Sequence, residues 1–237
     1  MSSKDLAIDK VPAIVSISAL LTKFTGVIGG LALFVNVIVV FLSVIARYAF
    51  HSPIEWAEEV ARALMITLVF FGVATAAGRG SNTGIDLFIH YLPEKARGYI
   101  VHLTKWAMTF VSLGLAYASF ELVQMSLSQT SENGMPLVIF HIPVFLGTAV
   151  MSINAFTHAL RESVHTVIVT LGIFLVLAGI GYIYYRSFPD FMMLPATLML
   201  LLFAVGILAG MPIAFTLALS AMVFFISNPT LPFVFFA

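Results

Sequence analysis

The sequence predicts an all-α, polytopic integral membrane protein, and three observations carry that prediction. Hydrophobic residues make up 61% of the chain and charged residues 9%, far from the roughly half apolar, quarter charged mix of a soluble domain. The eleven basic and eleven acidic residues gather in short clusters, with seven long apolar stretches between them. An ionised group in hydrocarbon is costly unless paired, so each cluster marks where the chain meets water and each gap is a candidate crossing. Most of the stretches reach about twenty residues, which at about 1.5 Å rise each crosses a core of about 30 Å as a helix.

Taken in order, the first segment runs from about Phe24 to Ala46 and ends at Arg47 and Tyr48. The second starts at Ser52-Pro53-Ile54-Glu55, where Ser52 is placed to cap, Pro53 suits the first helical position and Glu55 completes a capping box. It continues to about Gly78, with Trp56 at headgroup depth and Arg79 closing it. Residues 80–92 read as a turn followed by a short surface-lying piece, and Pro93 opens the third helix. Lys95, Arg97 and Lys105 occupy its first turns, Trp106 is expected at the interface, and the helix runs to about Leu127. After a polar loop at Ser128 to Asn133, the fourth segment spans about Met135 to Leu160. The fifth, about Val164 to Tyr185, ends in an interfacial belt of Tyr182, Tyr184 and Tyr185. Segments at about Phe191 to Gly210 and Pro212 to Ile226 are joined by Gly210-Met211-Pro212 alone.

Basic residues give an orientation. Lys4, Lys10 and Lys23 precede the first segment, Arg79, Lys95, Arg97 and Lys105 lie between the second and third, and Arg161 follows the fourth, while the loop after the third has no lysine or arginine. The positive-inside rule therefore places the N-terminus in the cytoplasm. The ten residues at the N-terminus include Asp5 and Asp9 and no small-residue cleavage site follows the first apolar run, so that run is expected to stay in the mature protein. A net charge of zero argues against nucleic acid, which needs a basic face. The absence of cysteine excludes disulfides, thiolate metal sites and cysteine nucleophiles.

Few residues invite chemistry. Five of the six histidines, His51, His90, His102, His158 and His165, fall at segment ends, and His141 alone lies a turn or two inside. That spacing does not suit paired axial ligands for a haem or another metal, so no metal site and no catalytic residue is expected. Glu121 is an acid inside a predicted span, a functional candidate by default, although Gln124, Ser126 and Ser128 after it also suit a wet helix end. Arg47, Tyr48, Trp56, Glu58, Glu59 and Arg62 crowd one membrane boundary. Glu58 and Glu59 are four and three residues from Arg62, so a charge network joined by Arg47 is expected to lock two helix ends and offer a polar docking face.

Arg47-Tyr48, Phe50, Pro53, Trp56, Glu58, Glu59 and Arg62 resemble the signature of the small membrane subunit of tripartite ATP-independent periplasmic (TRAP) transporters, the DctQ-like family. Gly72, Ala74, Ala76, Arg79, Asp86 and Leu92-Pro93-Glu94-Lys95-Ala96-Arg97 are similar to the run after its second helix, with Asn82 standing where the family often has histidine. The resemblance covers about residues 20–162. Leu201 to Ile226, with Gly206, Gly210-Met211-Pro212-Ile213-Ala214-Phe215 and Leu217, resembles the opening helices of the large DctM-like subunit. The resemblance thus implies a four-helix small-subunit domain over 1–162, a connecting transmembrane helix over 163–190 and the truncated beginning of a large subunit over 191–237.

It further implies a multi-pass protein of the bacterial inner membrane that serves as scaffold in sodium-coupled import of a small organic acid. No cofactor is implied in this chain, and sodium is expected in the large subunit. The implied partners are the remaining large-subunit helices, a periplasmic substrate-binding protein and the bilayer. Two other readings compete: a membrane anchor of an electron-transfer or quinone-linked enzyme, and a signalling or assembly protein.

Overall fold

The computed structural model describes residues 12–80, 93–131, 133–160, 167–173, 176, 179 and 195–226. Six helices are named in chain order: α1 (Pro12–Ala49), α2 (Glu55–Gly78), α3 (Glu94–Ser126), α4 (Val138–Leu160), α5 (Pro195–Leu208) and α6 (Ile213–Ile226). Residues 167–173 are also helical, and no named strand occurs among the described residues. The chain is an all-α polytopic membrane protein, with four helices long and apolar enough to cross a bilayer, at Val15–Ala49, Glu55–Gly78, Arg97–Ser126 and Val138–Leu160.

The segment centres follow the sequence reading, and the ends depart from it for local reasons. α1 has 38 residues and so begins well before Phe24, because a helix once formed propagates at little cost. Lys23 lies on its exposed face, where a long side chain carries its charge toward water. The capping box at Ser52 does not form: α2 starts at Glu55 after an extended Ile54 with no side-chain cap. Ser52 instead belongs to the end of α1, its N–H donating to the Ala46 carbonyl at 3.1 Å, while His51 takes the left-handed φ of 53° that helix ends favour. α4 tolerates Pro143 within its length, as membrane helices do where neighbours and side chains satisfy the freed groups. α5 and α6, 14 residues each, lie within the segments expected at Phe191 to Gly210 and Pro212 to Ile226. Of the surface piece expected at 80–92, residues 81–92 lie outside the described residues, as does most of the fifth segment.

The chain divides into two compact units. One comprises Val15–Ser81 with Leu113–Asn154, and the other includes Asn82–Ser112 with Ala155–Phe236. In the first, α1, α2, α3 and α4 pack through small and hydroxylated residues. Gly29 faces Phe71, Gly26 faces Thr75, and a Cβ on Gly147 would stand 2.7 Å from the Phe70 Cβ. Phe120 of α3 lies against Phe145 of α4 at 5.6 Å between ring centres. In the second unit Trp106 is buried against Phe156 in an edge-on contact of 6.5 Å, and its indole N–H donates to the Thr170 hydroxyl at 3.2 Å. Trp106, expected at the interface, is thus packed against the protein, where a helical stretch at 167–173 supplies the polar partner of its indole. Also in that unit, α5 and α6 form a hairpin whose turn holds Gly210 at φ 72° and whose arms meet where Gly206 faces Thr216.

Burial is inverted relative to a soluble fold. Asn154, Ser112 and Thr216 are fully buried, whereas Phe34 and Phe41 of α1 are 65% and 63% exposed. Lipid is as apolar as phenylalanine, so association in a bilayer comes from close backbone approach and shared hydrogen bonds, and large apolar side chains are free to face outward.

Candidate functional site

The junction between α1 and α2 carries the residues expected to act. Arg47 and Tyr48 occupy the last turn of α1 and are exposed, as is Trp56 in the first turn of α2. Arg62 and Glu58, one turn apart, form an ion pair with Nη2 to Oε1 at 3.5 Å, both side chains largely exposed. The expected network contracts to this pair. Arg62 is exposed with Glu58 while Glu59 packs inward, so Glu58 and Glu59 do not share Arg62. Glu59 turns to the packed side, 8% exposed, and its Oε2 is buried without a hydrogen-bond partner. Arg47 forms no ion pair among the described residues. A buried carboxylate oxygen without a donor is unfavourable in an isolated helix pair.

The other expected positions are scattered. Arg79 caps the C-terminal end of α2 and is exposed. Asp86 lies outside the described residues. Glu121 is half-buried near the end of α3, and Tyr117 one turn earlier brings its hydroxyl to the Glu121 carboxylate. His141 is half-buried in α4 with Nδ1 unpartnered. Among the described residues no three His, Asp or Glu side chains gather to hold a metal.

A polar seam through the first unit was not singled out in the sequence. Ser18 donates to Asn154 Oδ1 at 2.7 Å, and the Asn154 amide donates to the Thr22 hydroxyl at 3.1 Å and to the Ala74 carbonyl at 3.0 Å. One side chain thereby ties α4 to α1 and α2. The Thr25 and Thr75 hydroxyls pair at 3.0 Å, and Ser119 of α3 pairs with Thr148 of α4 at 3.0 Å. The available signal was the spacing of Ser18, Thr22 and Thr25 at i, i+4 and i+7, one polar stripe on an otherwise apolar helix.

The helices are thus locked by hydroxyls, amide and glycine, with a charged boundary left exposed. The family model described as tripartite ATP-independent periplasmic transporters, DctQ component, matches residues 36–165, more than half of the chain. A putative TRAP transporter small permease protein of Haemophilus influenzae (strain ATCC 51907 / DSM 11121 / KW20 / Rd) is 26% identical over 99 residues, 42% of this chain and 60% of its own length. The sialic acid TRAP transporter permease protein SiaT of Haemophilus influenzae (strain 86-028NP) is 27% identical over 94 residues, 40% of this chain and 14% of its own length. The sialic acid TRAP transporter small permease protein SiaQ of Vibrio cholerae serotype O1 is 35% identical over 97 residues, 37% of this chain and 56% of its own length. With four apolar helices beneath the matched region, the chain belongs to the DctQ component family of the tripartite ATP-independent periplasmic transporters.

Proposed function

We propose that the chain is the membrane scaffold of a sodium-coupled TRAP transporter that imports a small organic acid handed over by a periplasmic substrate-binding protein. The observation that carries this reading is the family match over 36–165, which falls on α1 to α4. Two relatives are named for sialic acid, which favours an acidic substrate. Scaffold is favoured over transport site because a midplane site is built from paired interrupted helices, and Gly210-Met211-Pro212 is the sole such break among the described residues, where it forms a turn.

The domain reading is 1–162 for the small subunit, 163–190 for the connecting helix and 191–237 for the start of a DctM-like large subunit. SiaT supports it: its matched region is 14% of a longer permease, so a small-subunit-like part within a larger chain has a precedent among relatives. The N-terminus is cytoplasmic, and the extra crossing near Val164 to Tyr185 brings the chain to the side where the large subunit begins.

Docking is assigned to the α1–α2 junction. Arg47, Tyr48 and Trp56 stand exposed there, a cation with two amphipathic rings that a large-subunit partner could engage. The chain co-expressed with a tagged large TRAP permease subunit is expected to co-purify in mild detergent. Arg47→Ala and Trp56→Ala should lower recovery several-fold, whereas His141→Ala should not. Equal recovery of all three variants would remove the junction from the docking face.

A further inference from the structure

Between α1 and α2 in the first unit runs a groove of about 270 Å³, walled by Gly26, Gly29 and Gly30 on one side and by Leu68, Gly72 and Arg79 on the other. Glycine is what keeps it open. At Gly30 and at Gly72 an added Cβ would meet nothing within 4 Å, so helix packing does not fill the space. From Leu68 to Arg79 the wall rises by about 16 Å at 1.5 Å per residue. That is about half of a hydrocarbon core of about 30 Å, the depth of one leaflet.

Arg79 stands at the polar end. Its Nη2 lies 3.9 Å from where a Cβ on Gly26 would be, so the guanidinium folds back across the groove toward α1. The residue is exposed, and no carboxylate pairs with it among the described residues. The groove is thus a largely apolar slot, with Thr25 and Thr75 in its wall and a planar, five-donor cation at its mouth that no carboxylate among the described residues pairs with.

We infer that this groove binds one anionic phospholipid, its phosphate on the Arg79 guanidinium and an acyl chain lying between Gly30 and Gly72. Guanidinium matches phosphate oxygens in a bidentate pair, and basic pockets between transmembrane helices select charged headgroups. A transmembrane helix from another chain is the competing occupant, since glycine also permits close helix approach, but an apolar helix brings no anion to the Arg79 guanidinium. The bound lipid would fill the α1–α2 gap beside the Thr25–Thr75 pair and stiffen the unit there.

The test melts the full chain in dodecyl maltoside with added phosphatidylglycerol or phosphatidylcholine of identical acyl chains. Phosphatidylglycerol should raise Tm by several degrees more than phosphatidylcholine. That difference should vanish in Arg79→Gln, which removes the cation, and in Gly72→Leu, which fills the slot. Native mass spectrometry of the same samples reads bound lipid directly, whatever the melting point of a variant. Wild type should retain one phosphatidylglycerol and Arg79→Gln about tenfold less, the loss of one charge-assisted contact. Equal shifts with the two lipids, or undiminished phosphatidylglycerol on Arg79→Gln, overturns the inference and leaves a helix as the occupant.

Discussion

Asn154 shows how much one side chain carries when the solvent is lipid. Its amide makes three hydrogen bonds to α1 and α2, and interhelical bonds in membrane proteins average about 0.6 kcal/mol each. Asn154→Ala is expected to lower stability by about 2 kcal/mol, read as a reduced melting temperature in detergent. Ser119→Ala breaks one interhelical bond and should cost about a third as much. Similar losses from the two would show that the seam is not centred on Asn154. At the boundary, the exposed Glu58–Arg62 pair contributes about 0.3–0.5 kcal/mol as an i, i+4 surface pair, so Glu58→Ala should hardly move the melting temperature. Charged residues were legible in the sequence because charge in an apolar chain stands out. Asn154 was not, since an uncharged amide inside a span reads as one more polar residue until its partners, distant in sequence, are known. The partner of Trp106 was hidden for a related reason: Thr170 as its acceptor, 64 residues away, is visible only in the fold.

Element by element, glycine and helix ends decide the packing. A Cβ on Gly147 would approach the Phe70 Cβ at 2.7 Å and the Phe70 carbonyl oxygen at 2.9 Å. Because one obstacle is backbone, α2 and α4 must separate, and Gly147→Ala should cost about 1–3 kcal/mol by overpacking. Gly98→Ala in α3 faces open space and should not lower the melting temperature, which makes it the control. Helix centres were legible because apolar runs between charge clusters admit one arrangement in a bilayer. Ends were less so: Ser52 carries the sequence pattern of a cap, yet α1 claims its N–H first, a competition between two helices that no local motif records.

At the scale of the whole molecule, family membership rests on α1 to α4, while the proposed topology rests on charge and the proposed role of 191–237 on its resemblance to a large subunit. Alkaline phosphatase fusions are expected to be inactive at Arg161 and active at Gln129 and Arg186; activity at Arg161 would undo the four-helix-plus-connector scheme. The central claim is that this chain scaffolds transport and does not itself carry substrate. It is tested most directly by uptake of a radiolabelled organic acid into liposomes holding the chain, with an inward sodium gradient and a cognate binding protein. The account predicts no accumulation from the chain alone and sodium-dependent accumulation once a large TRAP permease subunit is added; sodium-dependent accumulation by the chain alone would contradict it.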